Sequence, residues 1–216
     1  SISKPTTAIA IMKLVENGQL SLDDRVFGSG GLLETHPYLS LANVTDPRIF
    51  GIRVRDLLQH AAGWNRDISC FPSPTTPYPW FFGGCDPIAA PLHVTETLGQ
   101  PNPVGEEAMI RFLMEKGLNF APGSGYAYSN IGFQVLGEII EAVSGLSYEN
   151  YVQANLLAPL GICDMHEGKN LLADKQEREG EYVGNGYTTL PSYGTSVYEP
   201  WEDGGFSVQA MDANGG

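Results

Sequence analysis

Two short runs of the 216-residue chain carry side chains that together could move an acyl group. Ser1-Ile2-Ser3-Lys4 sets a hydroxyl and an amine three residues apart at the start of a helical pattern. Residues i and i+3 share one face of a helix, so the Lys4 amine reaches the Ser1 hydroxyl. A serine hydroxyl is a weak nucleophile until an adjacent base takes its proton. An amine in a partly apolar pocket, at the positive end of a helix, gives up its proton more readily and can serve as that base. The same helix end favours negative charge developing on a substrate. S-x-x-K alone is a common pattern, and a capping serine beside a solvated lysine satisfies it equally. The second run is Tyr128-Ser129-Asn130, placed after the Pro122-Gly123 turn and at the opening of a helix. From such a loop a tyrosine oxygen can pass a proton to a leaving group while an asparagine amide holds the substrate carbonyl. A second Y-x-N, at Tyr148-Glu149-Asn150, falls inside a helical stripe, where Tyr148 reads as core and Asn150 as solvent-facing.

The elements that must position these groups are mostly helical. Ala8, Ile11, Met12 and Val15 predict a helix over 5–17, capped by Ser1 or Ser3 and stopped by Gly18. A short helix follows at 53–60, ended by Ala61-Ala62-Gly63, and His60 on it reads as structural rather than catalytic. From 64 to 103 the chain is rich in Pro, Thr, Gly and aromatics with no period of 2 or 3.6, which predicts a long loop insert at the mouth of a pocket. Its replacement is expected to alter substrate preference more than acylation. Met109, Phe112 and Leu113 share a face of a helix at 105–117. Phe133, Leu136, Ile140 and Val143 line a strong helix at 130–143, closed by Gly145, and another is expected at 147–157. Beyond Gly161 the strand signals are short and weak. With no internal repeat and no linker, residues 1–216 read as one domain, and too poor in strands for a full central sheet.

Composition narrows the partners. Acidic residues outnumber basic ones 25 to 12, a formal charge of −13, which repels phosphate backbones and anionic lipid, so neither nucleic acid nor membrane is expected. No apolar run approaches the ~18 residues of a membrane span. The hydrophobic fraction of 42% is enough for a packed core. His36, His60, His93 and His166 are scattered, and the cysteines have no metal-ligand spacing, so no metal site and no cofactor is expected. Cys70 and Cys85 bracket a Pro- and aromatic-rich stretch, as a loop-stapling disulfide would; closing such a loop contributes roughly 3 kcal/mol and implies a secreted or otherwise oxidising setting. No G-x-S-x-G elbow surrounds any serine, which argues against an α/β-hydrolase.

Three ordered segments, SISKPTTAIAIMKLVENGQLSLDD, DLLQHAAGW and APGSGYAYSNIGFQVLGEIIE, resemble the serine β-lactamase-related, penicillin-binding-protein-like family, which includes class C β-lactamases, D-alanyl carboxypeptidases, esterases and LACTB-like proteins. The resemblance is good over 1–165 and looser beyond. It implies an α/β (α+β) β-lactamase/transpeptidase-like fold, of which this chain is mainly the helical region plus long loops, with much of the antiparallel sheet absent. It implies an acylated Ser1, Lys4 as its base, Tyr128 as proton relay and Asn130 as the substrate-amide contact. The family's third motif, a Lys- or His-centred triplet ending in Gly, is not in the sequence, and Gly215-Gly216 precede where it would fall. Further segments or a second chain are therefore expected to complete the sheet and the oxyanion hole. The expected substrate is a small-molecule or peptide amide or ester, esterase or peptidase chemistry being favoured over β-lactam hydrolysis. Two other readings remain open at this level. A hydrolase using the Ser1 amine as its own base would follow the nucleophile with strands rather than a helix. A catalytically impaired binding or scaffold protein could use the aromatic stretch at 71–82 and Trp201 to hold a sugar or peptide.

Overall fold

The structure, a computed structural model, describes residues 2–36, 39, 44–68, 86–89, 91–101, 104–168 and 176–178. Ser1, Cys70, Cys85, Trp201 and the whole aromatic stretch at 71–82 lie outside the described residues, as do the strand signals beyond 178. Within them the chain is helical. Helix α1 spans Ser3–Glu16 and stops at Asn17 and Gly18, whose φ of +68° is the left-handed conformation glycine adopts without strain. Ser3 is the first helical residue and not a cap; Ile2 stands at the cap position without a side-chain bond. The buried stripe is Lys4, Thr7, Ala10, Ile11 and Leu14, so Met12, expected on the inner face, is 46% exposed. A polar pair, Lys4 and Thr7, turns inward, and the apolar spacing alone could not reveal that rotation.

Helix α2 is short, Val54–Leu58, and its start is held by Asp56 Oδ2 accepting from the Arg53 amide at 3.0 Å. The segment expected to be one long loop contains a helix, α3, at Pro91–Leu98. Proline is tolerated at a first helical position, while Val94, Thr95 and Thr97 are weak helix formers, so intrinsic propensity obscured it. Burial of Val94 and packing of Leu98 on the core hold it instead. Helix α4 spans Glu106–Lys116 and buries Met109, Phe112 and Leu113 as their spacing required. Helix α5 spans Asn130–Ser144 and ends on Gly145 at φ +72°. The helix expected at 147–157 divides into α6, Tyr148–Val152, then a π turn at Gln153–Leu157 and a 3-10 turn at Ala158–Leu160. Among the described residues there is no strand; Arg25 and Arg53 form an isolated antiparallel bridge.

Helix α5 is the hub. It packs against α1, α2, α4 and α6, and every residue from Ile131 to Ile140 is buried. Ile131, Val135, Leu136, Ile139 and Ile140 are at most 1% exposed, and each such side chain stabilises the fold by about 1.5–3 kcal/mol. Tyr148 is core, as read from its stripe: its hydroxyl shares a 2.7 Å hydrogen bond with Thr7 Oγ1, and Asn150 faces solvent.

Two distant segments are stitched together just ahead of α5. The Gly63 carbonyl accepts from Asn119 and Phe120, the Ala61 carbonyl from Gly123, and the His60 carbonyl from Ala127. Asp46 and Arg48 clamp the start of the second segment: Asp46 Oδ2 accepts from the Leu118 amide at 3.1 Å, and Arg48 donates to the Leu118 carbonyl at 2.7 Å. The Arg48 guanidinium beside Asp46 holds that carboxyl well below the usual carboxylate range. Gly63 is required at the seam. Its φ is +112°, and an added Cβ would lie 2.5 Å from the Phe120 carbonyl oxygen. Gly63→Ala is expected to destabilise the protein by more than about 2 kcal/mol through strain and displacement. Urea unfolding checks this, and an unchanged midpoint would mean that the two segments are not held this closely.

Candidate active site

The stitched segments deliver Tyr128, Ser129 and Asn130 to the first turn of α1. Ser129 caps α5, its Oγ accepting from the Gly132 amide at 3.2 Å, with an extended backbone at φ −141° and ψ 118°. Across an extended residue, neighbours two apart point to one side, so Tyr128 and Asn130 both face α1. Lys4 is 6% exposed and its Nζ donates to Asn130 Oδ1 at 2.8 Å. The same Nζ lies 5.2 Å from the centre of the Tyr128 ring and 5.5 Å from that of Phe133, within cation–π range. Three of the four site residues expected from sequence are thus adjacent, and the fourth, Ser1, lies outside the described residues.

The two Y-x-N runs are distinguished by their surroundings. Burial pushes the Tyr148 phenol up to about 12, and its oxygen is committed to Thr7. Tyr128 lies against both Lys4 and Arg66, with the guanidinium carbon 4.7 Å from the ring centre.

Sequence reasoning did not single out Asp86 or Arg66 and gave His60 no contact with the site. Asp86 Oδ2 accepts from Asn130 Nδ2 at 2.7 Å and lies 3.8 Å from Arg66 Nη1. Burial raises the Asp86 carboxyl, against the opposing pull of the Asn130 amide, Arg66, the backbone at Ile88 and Lys4. Nothing in the spacing marks either residue, since both sit in the aperiodic 64–103 segment. His60 adopts φ +55°, a left-handed conformation uncommon outside glycine, and its Nδ1 accepts from the Ser129 amide at 3.2 Å. Its ring lies 4.7 Å from that of Tyr128 and 5.1 Å from that of Phe133. Burial, then the nearby Lys4, pushes the imidazole below its usual value.

A second group of polar side chains lies elsewhere. His36, Glu107 and Glu138 bring one ligand-type atom each within 4.8 Å of one another. His36 Nδ1 accepts from the Leu39 amide, so the imidazole proton sits on Nε2, 3.4 Å from Glu138 Oε2. That tautomer turns an N–H and not a lone pair toward the carboxylates. Glu138 is buried, and His36 and Glu107 are half-buried.

The helices superpose on a D-stereospecific amidohydrolase from Streptomyces sp. with a TM-score of 0.56 at 24% identity, over 83% of this chain and 46% of that one. They also superpose on EstCE1, described as a hydrolase with promiscuous acyltransferase activity, with a TM-score of 0.53 at 25% identity, over 79% and 39%. These are β-lactamase/transpeptidase-like folds. The Beta-lactamase family model matches residues 1–208, and the chain belongs to that family. Penicillin-binding protein 4* of Bacillus subtilis is 29% identical over 164 residues, which are 75% of this chain and 28% of that protein. Esterase EstB of Burkholderia gladioli is 29% identical over 164 residues, 76% of this chain and 36% of that protein. The chain thus spans about a third of the length of these curated relatives.

The His60 geometry makes a pH prediction. Nδ1 can accept from Ser129 only while it carries no proton, and the folded site holds the imidazole below about 6.5, the value of the unfolded chain. Unfolded protein therefore binds the extra proton first. The contribution is full above about pH 6.5 and is lost as pH falls from there toward the folded value. In melting experiments the wild type should lose stability below pH 6.5 relative to His60→Gln. Parallel curves for the two proteins would refute a neutral His60.

Proposed function

We propose that this chain carries the acyl-transfer centre of a serine hydrolase acting on an amide or ester through a covalent acyl-serine. The observation that carries the reading is Lys4: an amine buried on the first turn of α1, one helical turn from Ser1 in sequence, and bonded to the asparagine of the tyrosine motif. A buried lysine on a helix face is rare unless it is held for a purpose or paired. The family relatives, one named an esterase and another a penicillin-binding protein, support hydrolysis as the general chemistry.

In the proposed reaction Ser1 Oγ forms a bond to the substrate carbonyl carbon as its proton passes to Lys4 Nζ. The tetrahedral oxyanion collapses, the bond to the leaving nitrogen or oxygen breaks, and the leaving group takes that proton through Tyr128. Water then attacks the acyl carbon, yielding the acid and restoring the Ser1 hydroxyl. Asn130 retains a second Nδ2 hydrogen, beyond the one given to Asp86, with which to hold the substrate carbonyl. Neither metal nor cofactor enters these steps.

Incubating the intact protein with a fluorophosphonate should add one probe mass at Ser1. Ser1→Ala should take none, and Lys4→Met should slow labelling by about 10²–10⁴-fold, the usual contribution of a positioned base. Equal labelling of Ser1→Ala would refute the assignment.

The two tyrosine motifs supply a separate test. Tyr128→Phe should slow turnover of a p-nitrophenyl ester by at least about tenfold. Tyr148→Phe should leave turnover near wild type and lower stability by about 1 kcal/mol, through its lost bond to Thr7. The reverse ranking would move the proton relay to Tyr148.

A further inference from the structure

We infer that Asp86 is a positioning residue for acyl transfer: it fixes which end of the Asn130 amide faces Lys4, and so ties the long 64–103 segment to the reacting groups. The inference rests on the acyl-serine reading above.

The argument begins with donors and acceptors. An ionised carboxylate only accepts hydrogen bonds, and an amide side chain has one accepting and one donating end. Asp86 Oδ2, 2.7 Å from Asn130, therefore takes the Nδ2 end and leaves Oδ1 for Lys4 Nζ at 2.8 Å. Rotating the amide by half a turn would set Nδ2 against the lysine hydrogens and Oδ1 against the carboxylate, two repulsive contacts in a buried site. With Asp86 in place one orientation is allowed. It aims Oδ1 at the base and keeps the spare Nδ2 hydrogen for a substrate.

Asp86 is itself firmly held. It precedes a 3-10 turn at Pro87–Ala89 that packs against α3, α4 and α5, and Ile88 in that turn is 4% exposed. Burying a carboxylate is costly unless its oxygens find donors, and the side chain that hydrogen-bonds it here is that of Asn130. Arg66, near the start of the same segment, lies 3.8 Å from Asp86 Oδ2 and over the Tyr128 ring. The segment therefore reaches the site at two points, Arg66 and Asp86. Its replacement should impair acylation itself, contrary to the sequence-based expectation that it sets substrate preference above all.

The test is a double-mutant cycle on the intact protein, read as the acylation burst with p-nitrophenyl acetate. Asp86→Leu should slow acylation about 10- to 100-fold, the scale of losing orientation at a reacting group, with a smaller change in KM. Asp86→Asn, which offers Asn130 a donor as readily as an acceptor, should recover only part of that loss. In an Asn130→Ala background Asp86→Leu should have no further effect, because its route to Lys4 is gone. Should Asp86→Leu melt below the assay temperature, Asp86→Ala replaces it in the cycle. A burst unchanged by either substitution, or losses that multiply in the double variant, would overturn the inference while leaving the acyl-serine reading intact. Absence of any burst in the wild type would overturn both.

Discussion

A lysine amine turned into the interior of a helical domain sets the terms for everything around it. Removing such a group from water costs several kcal/mol unless protein atoms replace the lost hydration. Lys4 is 6% exposed, and the replacement comes from the Asn130 carbonyl oxygen and the faces of Tyr128 and Phe133. All three belong to the opening of α5 or the residues just before it. The start of α1 and the start of α5 must therefore stay within a hydrogen bond of each other, although they are 126 residues apart in sequence. The inward rotation of α1, which leaves Ile9 57% and Met12 46% exposed, follows from the same requirement.

Holding that contact takes several layers of support. The buried length of α5 fixes its axis among α1, α2, α4 and α6. The seam between 60–63 and 118–127 fixes where the preceding loop runs, and the Asp46–Arg48 pair anchors its far end at Leu118. His60 then engages the motif twice, through its carbonyl to Ala127 and its ring nitrogen to Ser129. A non-glycine residue at φ +55° carries a penalty of roughly 1–3 kcal/mol, tolerated where surrounding contacts over-determine the conformation. Strain at His60 thus secures a backbone hydrogen bond immediately next to Tyr128.

The sequence disclosed what depends on local period and short spacing. The helices at 105–117 and 130–143, the stops at Gly18 and Gly145, and the separation of Tyr128 from Tyr148 were all legible because each follows from neighbours within a turn or two. Other features had no local signature. Asp86 meets Asn130 across 44 residues and His60 meets Ser129 across 69, and a polar contact between distant segments leaves no periodic trace. The burial of every α5 residue from Ile131 to Ile140 was hidden for a related reason. Gln134 and Glu138 interrupt its apolar stripe and suggest a solvent face, yet they are 0% and 3% exposed. Glu138 is accommodated inside by His36, more than a hundred residues earlier in the chain. Helix α3 escaped because its residues are poor helix formers, and packing decided its conformation.

The polar chain at the site has a consistent electrostatic sense. Asp86, Asn130 and Lys4 alternate acceptor, amide and donor, so the carboxylate acts on the amine through an oriented dipole and not by direct contact. Arg66, half-exposed at 3.8 Å from Asp86, offsets the carboxylate on its solvent side. Within a chain of net charge −13, the start of α5 thus draws two basic side chains, Lys4 and Arg66, around one buried acid, Asp86.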